Sequence, residues 1–477
     1  MAKLLLHDTL TREKREVIAA DGERLRFYCC GPTVFGPAHI GNFRTFIVQD
    51  LFRRVVELSG LLTKHVRNIT DVDDKTIRES QNAGKSLGEF TRHWLDRFHA
   101  DCEALNLLPP DVEPSAVDHV PEQIQLIEQL LATGHAYQGG DGSVYFKVAS
   151  FDAYGKLSHL DKRDLQLGIS ANDADEYEKE NLADFALWKA RKPEDGDNFW
   201  PSPWGEGRPG WHLECSAMGM KYLGESFDLH SGGVDLCFPH HDNEIAQSEA
   251  ATGKEFARHW FHSEHLMVEG EKMSKSKGNL YTLSEIAERG YTAAELRFAM
   301  LAGQYRQKLN FTWDGLRSAR INLQRIGAFA HMLEQAGGKM PDYHEIVAEA
   351  RQGKTSAGDF AGSWEALLDN LNTPEAIGRL ITAIKSLEKR ASDEGIDAPR
   401  AAALLANLAV IVHAFGWELP SALEPAVPDE IKALAEQRWD ARQAKDWGTS
   451  DSLREDIAAK GWQVKDGKDG YSLTPIQ

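Results

Sequence analysis

The chain has 477 residues, a formal net charge of −19 and 42% hydrophobic residues, values ordinary for a soluble protein of about three domains. The acidic balance argues against a general nucleic-acid binder, which would carry a broad basic surface. The short N-terminal apolar run and five sparse cysteines argue against a secretory signal and a disulfide framework, so we expect a cytoplasmic protein.

The first predicted unit is a strand–loop–helix–strand arrangement. The stretch LRFYCCGPTV, 25–34, is rich in β-forming residues and ends at a Gly-Pro break. Apolar residues then recur at helical spacing from Phe43 to Leu58, and LTKHVRNIT again has a strand pattern. This order predicts part of a parallel α/β sheet.

The middle of the chain predicts an insertion followed by helices. From about Pro110 to Pro201 the pattern changes, and we interpret this region as an insertion between two halves of a split sheet domain. After Leu283 the sequence is mainly helical to about Trp417. Its most apolar stretch, 401–417, is interrupted by polar residues and glycine, so we predict a buried helix rather than a membrane span.

The C-terminal segment predicts a small separate domain. Pro420, Pro425 and Pro428 mark a linker, which a helical pair and a hairpin with Asp-Gly turns follow. Residues Ile431 to Gly470 contain eight basic and eight acidic residues, so this segment is neutral within an acidic chain.

Two short motifs indicate a polyphosphate site. EGEKMSKSKGN, 269–279, places three lysines and two serines on one glycine-flanked loop, and lysine acts on phosphate as a movable point charge. The tetrad His39-Ile40-Gly41-Asn42 lies where the first loop meets the first helix, and free N–H groups at a helix start favour an anion. Each motif alone also fits a solvated surface or an ordinary helix start.

A second set of residues has ligand types suited to zinc. Cys30 and Cys215 supply thiols, and His240 and Glu244 stand four residues apart, on one face if that segment is helical. Their wide separation in sequence leaves open that each is simply a buried or a surface residue.

The motifs YCCGPTV, RNITDVDDK, RPGWHLECSAM, DLHSGGVDLCFPHHDNEIAQSEA and EKMSKSKGN resemble those of the cysteinyl-tRNA synthetases, a class I aminoacyl-tRNA synthetase family, and the similarity runs over nearly the whole chain. The resemblance implies a ligase that converts L-cysteine and ATP to cysteinyl-adenylate and pyrophosphate, then transfers cysteine to tRNA(Cys). It also implies one Zn²⁺ per chain, Mg²⁺ with ATP, a monomer and no membrane.

The expected fold class is α/β, with a split Rossmann-type parallel-sheet catalytic domain that carries an insertion, then an α-helical bundle and a small C-terminal α+β domain. The predicted boundaries, in chain order, are the first half of the catalytic domain at 1–110, a connective insertion at 111–200, the second half at 201–265, the KMSKS loop and stem-contact region at 266–300, the helical bundle at 301–420 and the anticodon-binding domain at 430–477.

The resemblance also implies roles for individual residues. The catalytic residues are His39, Lys272 and Lys275; the ATP-binding residues are His39, Gly41, Asn42, His230, Lys272 and Lys275; the cysteine pocket is Gly31, Thr33, Thr70 and Trp211; the zinc ligands are Cys30, Cys215, His240 and Glu244. Arg438, Arg442, Trp447 and Arg454 are expected to contact tRNA, because arginines read base edges and tryptophans stack on unpaired bases. The alternative for the tryptophans is the core of a small helical domain.

The sequence departs from the family pattern at three places. Asn42 replaces a histidine, Phe35-Gly36 stands where Tyr-Asp is frequent, and Gly470-Tyr471 replaces Gly-Thr. Two other functions stay open at this point. One is a cysteine ligase acting on an amino sugar, as in mycothiol synthesis, and the other is a non-catalytic synthetase-like RNA-binding protein.

Overall fold

A computed structural model describes residues 3–160, 184–273, 278–420, 428–444, 446–466 and 470–475. The chain divides into two compact units, Met1–Leu419 and Pro420–Gln477. The α/β class is confirmed by a parallel sheet covered by helices in the first unit.

The central sheet has four parallel strands in the order β10-β9-β3-β4. They are β3 (Arg24–Cys29), β4 (Leu62–Arg67), β9 (Leu229–Gly233) and β10 (Trp260–Ser263). An insertion separates β4 from β9 in the chain. The pairing of β3 with β9 at the middle of the sheet therefore joins two halves of the sheet that are far apart in sequence. Because all four strands point the same way, their carboxyl ends form one edge, where α/β proteins bind ligands.

Three further groups of strands belong to this unit. A hairpin precedes the central sheet, an antiparallel sheet has three of its four strands in the insertion, and a three-stranded sheet follows the second half. Their strands are β1 (Leu5–Asp8), β2 (Glu13–Glu16), β5 (Ala136–Gln138), β6 (Val144–Phe146), β7 (Phe185–Ala190), β8 (Gly207–Pro209), β11 (Leu266–Val268), β12 (Glu271–Lys272) and β13 (Leu309–Phe311).

Helices cover the sheets and form the bundle. Those associated with the sheets are α1 (Ile40–Leu58), α2 (Asp74–Asn82), α3 (Leu87–Ala104), α4 (Val120–Ala132), α5 (Trp211–Leu223) and α6 (Asp242–Thr252). Those after β12 are α7 (Leu283–Glu288), α8 (Ala293–Leu301), α9 (Trp313–Gln335), α10 (Tyr343–Arg351), α11 (Ala361–Leu368), α12 (Thr373–Glu394) and α13 (Ala398–Phe415).

Helix α13 is the only described helix with the length and apolar composition of a membrane span. It packs against α1 and α9, and its apolar residues belong to the core that these helices share. Its apolar character therefore has a structural explanation as a core helix, which is the interpretation that its interrupted sequence favoured.

The second unit has its own small core. It contains α14 (Asp429–Gln443), α15 (Trp447–Ala459) and a hairpin of β14 (Trp462–Asp466) with β15 (Tyr471–Pro475). Ile431, Ala435, Ile457, Trp462 and Val464 are buried together. The helical pair and the hairpin agree with the sequence prediction for this segment.

A buried charge network ties the sheet half to the bundle. Asp50 accepts hydrogen bonds from Arg54 Nε at 2.7 Å and from Arg297, and all three side chains are nearly inaccessible to solvent. The two arginines also donate to backbone carbonyls of α13 and of the loop after α3, at His413, Phe415, Leu105 and Asn106. Burial opposes ionisation of Asp50, but Arg54 and Arg297 outweigh it and lower its pKa from 3.8 to about 2.

We predict that Asp50→Asn lowers the free energy of unfolding by about 3 kcal/mol or more, because it leaves two buried guanidinium groups without a counterion. Urea unfolding followed by circular dichroism measures this loss. Glu225→Gln, which breaks an exposed pair with Lys254, is the matched control and should cost less than about 1 kcal/mol.

The same variant has an expected pH signature. Since the folded-state pKa of Asp50 lies below its ordinary value, its stabilising charge is fully present above pH 3.8 and is lost as the pH falls towards 2. The stability gap between the wild-type protein and Asp50→Asn should therefore shrink over that interval. A gap of equal size at pH 6 and pH 2 would contradict the role given to the charge.

Candidate active site and metal centre

The carboxyl edge of the central sheet brings together the four predicted metal ligands. Cys30 follows β3, Cys215 lies in α5, His240 lies in the irregular turn before α6, and Glu244 lies in α6. The two sulfur atoms are 3.9 Å apart, and His240 Nε2 is 3.1 Å from Glu244 Oε1. One donor atom from each residue lies within 4.8 Å of all the others, and all four side chains are buried.

A second set of donors overlaps the first. Cys30, His230, His241 and Glu244 satisfy the same distance condition. His230 Nε2 lies 2.8 Å from Glu244 Oε2, and His241 Nε2 lies 3.3 Å from the Cys30 sulfur. His230, predicted from the resemblance to contact ATP, is thus placed against the metal cluster with no exposed surface. Sequence reasoning did not single out His241, although its neighbour His240 is part of the same HH pair.

Outer contacts orient the histidines. The Nδ1 atoms of His212 and His240 are 2.8 Å apart, which leaves the Nε2 atom of His240 directed at the cluster. His241 Nδ1 is similarly engaged with His262 at 2.7 Å. The Trp211 ring stacks on His240 with centroids 4.3 Å apart. Such contacts to the second ring nitrogen are typical of metal-binding histidines, because they fix the ring and its tautomer.

The electrostatics of the cluster fit a cation. Burial raises the pKa of the Cys215 thiol to about 12, raises that of Cys30 well above its ordinary value and raises that of Glu244. Burial also lowers the pKa of His240. Burial alone thus disfavours the charged forms of the two thiols, the carboxyl group and the imidazole. A bound divalent ion would favour the two thiolates, the carboxylate and the neutral imidazole. Two sulfurs, one nitrogen and one carboxylate oxygen are donors that tetrahedral zinc accepts.

The predicted amino-acid pocket adjoins this cluster. Gly31 follows Cys30 directly, and its N–H donates to Asn68 Oδ1 at 2.8 Å. A β-carbon at Gly31 would lie 1.7 Å from the Asn68 carbonyl oxygen, so only glycine permits this approach. Thr33 and Thr70 pair through a parallel bridge, and partly exposed Trp211 begins α5. Sequence reasoning missed Asn68, which stands in RNITDVDDK.

The two phosphate motifs lie next to each other. His39 caps α1: its Nδ1 accepts from the Asn42 N–H at 3.3 Å, and Asn42 Oδ1 accepts from the His39 N–H at 3.1 Å. A β-carbon at Gly41 would be 3.1 Å from the sulfur of Met273, the second residue of the lysine motif. Lys272 is exposed at the end of β12, and Lys275 lies outside the described residues.

A buried arginine connects these two motifs. Arg44, at the start of the second turn of α1, donates to the carbonyls of Glu264 at 2.7 Å and His265 at 2.5 Å, and to that of Gln307 at 2.6 Å. Glu264 and His265 immediately precede β11, from which the chain continues to Lys272. The hydrogen bonds of Arg44 to these backbone carbonyls therefore fix the position of the lysine motif relative to the start of α1.

The predicted tRNA contacts separate into two kinds. Arg438 is fully buried and forms two hydrogen bonds with Asp466, at 2.7 and 2.9 Å, so the side chain holds α14 to β14, and its contact with RNA stays a prediction. Trp447 is 55% exposed, and Arg442 lies 5.6 Å from its ring centroid. Arg454 has a half-exposed side chain. These three side chains are accessible to a ligand.

Family comparisons cover almost the entire chain. Residues 16–321 match the tRNA synthetases class I (C) catalytic domain, and residues 424–471 match the cysteinyl-tRNA ligase anticodon binding domain. The cysteine–tRNA ligase of Opitutus terrae is 50% identical over 99% of both chains. That of Chlamydia trachomatis serovar A is 42% identical over 99% of this chain and 100% of its own.

Solved structures support the fold. Methionyl-tRNA synthetase from Mycobacterium tuberculosis, in complex with methionyl-adenylate, aligns with a TM-score of 0.58 at 17% identity over 82% of this chain and 89% of its own. The leucyl enzyme LeuRS from Agrobacterium radiobacter gives a TM-score of 0.57 at 12% identity over 83% and 84%. Similarity at this level shows a shared fold, and the full-length relatives show more: the chain belongs to the cysteine–tRNA ligase family.

Proposed function

We propose that this protein joins L-cysteine to tRNA(Cys) in two steps at the carboxyl edge of the central sheet, as a cytoplasmic monomer. The observation that carries the proposal is a buried two-thiol donor set at the carboxyl edge of the sheet, the edge from which the chain also passes from β3 to the capped start of α1. Cysteine and ATP could then lie side by side, which the first step requires.

Cys30, Cys215, His240 and Glu244 are the residues that would hold Zn²⁺. When bound, zinc would take the substrate thiol as a thiolate, which a serine hydroxyl does not become at comparable cost. This set is preferred to the one with His230 and His241 because it contains two thiols, and thiolates are strong zinc ligands. Shape alone would distinguish cysteine from serine poorly.

The start of α1 would receive ATP. Since His39 Nδ1 accepts from the Asn42 N–H, the proton of a neutral ring is on Nε2, which can donate to a phosphate oxygen. Gly41, Asn42 and Lys272 complete the described part of this site. The resemblance adds Mg²⁺, Lys275, which lies outside the described residues, and His230, which is buried beside the metal cluster. The cysteine carboxylate attacks the α-phosphorus, a mixed anhydride forms, and pyrophosphate leaves while the lysines offset its charge.

The acceptor is tRNA rather than an amino sugar, a choice that the match of residues 424–471 to an anticodon-binding domain favours. Trp447, Arg442 and Arg454 offer an exposed ring and two guanidinium groups on that unit. A base can stack on the ring while the arginines contact its edge or the backbone. We keep the domain boundaries predicted from the sequence as part of this proposal.

We expect Cys215→Ala to reduce zinc content from about one ion per chain to well below half, because one of four ligands is lost. Metal analysis of the purified protein by atomic emission provides the measurement. Cys237→Ala, which removes a nearby thiol outside the cluster, should keep its zinc. His241→Gln decides between the two donor sets: retention of zinc in this variant supports the set with Cys215, whereas loss of zinc there and retention in Cys215→Ala would reverse the assignment.

Lys275→Ala should slow cysteine-dependent pyrophosphate exchange about a hundredfold or more and leave cysteine affinity nearly unchanged. The lost charge acts on phosphates as they separate, and such interactions are worth about 3 kcal/mol. Lys254→Ala removes an exposed charge elsewhere and serves as the control. Exchange at the wild-type rate in Lys275→Ala would remove the loop from the mechanism.

Trp447→Ala should lower kcat/KM for tRNA aminoacylation by about tenfold or more, while pyrophosphate exchange without tRNA stays at the wild-type rate. The reason is the loss of a stacking surface worth about 1–3 kcal/mol per base. Lys460→Ala, which removes another exposed side chain of the same unit, is the control. Equal loss of both activities would assign Trp447 a structural role, and loss of neither would favour a different acceptor.

A further inference from the structure

Three buried polar side chains form a hydrogen-bonded group at the proposed cysteine pocket: Thr70, which is a predicted pocket residue, and Asn68 and Glu214, which have no role in the mechanism above. Asn68 and Thr70 follow β4, and Glu214 lies in α5, one residue before Cys215. Each is at most 2% exposed. Buried polar groups of this kind are costly unless they are hydrogen-bonded, so the pattern of their hydrogen bonds is informative.

The direction of each hydrogen bond follows from one fixed donor. The Gly31 N–H can only donate, so the atom of Asn68 that faces it at 2.8 Å is the carbonyl oxygen Oδ1. The amide nitrogen of Asn68 then faces the other way, and donates to Thr70 Oγ1 at 3.3 Å and to Glu214 Oε1 at 3.1 Å. The Thr70 hydroxyl completes the triangle by donating its only hydrogen to Glu214 Oε1.

This arrangement makes Thr70 an acceptor for any ligand. Its hydrogen is committed to Glu214 and one lone pair to Asn68, so one lone pair of Oγ1 is left for a donor. Among the polar groups of cysteine, the ammonium group is the donor that matches this lone pair, because the carboxylate only accepts and the thiol is assigned to the metal site. The hydrogen-bond directions are the same with or without a proton on Oε2, because Oε1 accepts in both cases.

We propose that Glu214 is a positioning residue for the amino acid: by holding the Thr70 hydroxyl as an acceptor, it prepares this side of the pocket for the α-ammonium group of cysteine. The inference rests on the proposed function and extends it to a residue that would not touch the substrate. It also gives the pocket an ammonium end and a thiol end, set by neighbouring residues of one helix, Glu214 and Cys215.

The test compares two ligands that differ only in the ammonium group. Cysteine and 3-mercaptopropionate share the thiol, the carboxylate and the chain length. Isothermal titration calorimetry measures their affinities for the zinc-loaded, full-length protein without ATP. Glu214→Met removes the acceptor at similar length, Glu214→Gln keeps an amide oxygen as acceptor, and zinc content is measured for each variant.

We expect Glu214→Met to weaken cysteine binding by about tenfold or more, with little change for 3-mercaptopropionate, since a hydrogen bond to a charged group is lost. Glu214→Gln should stay within a few-fold of the wild-type protein for both ligands. Thr70→Val, which has nearly the shape of threonine and no hydroxyl, should show the same selective loss, and it carries the test should Glu214→Met fail to fold.

Two results would overturn the inference. Equal weakening of both ligands in Glu214→Met and Thr70→Val would mean that these residues only support the fold of the pocket. Loss in Glu214→Gln as large as in Glu214→Met would mean that the hydrogen-bond acceptor is not what matters. A wild-type protein that binds neither thiol would instead contradict the proposed function itself, and the inference would fall with it.

Discussion

The pairing of β3 with β9 is the contact on which the whole site depends. It sets Tyr28 beside His230 and Cys29 beside Ser231, and the Cys30 N–H continues it by donating to the Ser231 carbonyl at 3.2 Å. Segments about two hundred residues apart thereby end at one edge of the sheet. Every later contact of Cys30 with the helices of the second half follows from this register, because a shift by one residue would turn Cys30 to the opposite face.

A cluster of this kind has an energetic cost that the rest of the fold must offset. Two thiols, three imidazoles and a carboxyl group lie together out of water, where isolated charges are strongly disfavoured. The surrounding groups reduce the cost by using the remaining donor atoms, as His212 does for His240 and His262 for His241. The Asp50 network solves a similar problem further along α1, where one carboxylate and several backbone carbonyls serve two arginines. In the metal cluster and in the Asp50 network alike, the hydrogen-bond partners hold each buried side chain in one position. The loss of any one partner would leave a buried polar group unpaired.

Much of the architecture could be predicted from sequence because local patterns specify it. The helix from Phe43 to Leu58 shows its apolar face, and proline residues separate the C-terminal unit. The four proposed metal ligands could not be predicted from local patterns, because they are far apart in sequence. Only the family resemblance grouped them into one site. The pairing of Arg438 with Asp466 was not foreseen, because an arginine next to a tryptophan has the same sequence pattern whether it meets RNA or a carboxylate of its own domain. His241 and Glu214 were missed because neighbouring residues already explained the motifs that contain them.

Helix α5 brings three residues of the proposed site together. Residues three and four apart lie on one face of a helix, so Trp211, Glu214 and Cys215 all face the carboxyl edge of the sheet. One stacks on His240, one fixes Thr70, and one is a proposed metal ligand. If cysteine binds as proposed, this helix sets the distance between the thiol side and the ammonium side of the pocket. An amino acid with a longer side chain would have to move one of its two ends out of place, so the spacing on α5 adds a length criterion to the chemical one supplied at the metal site.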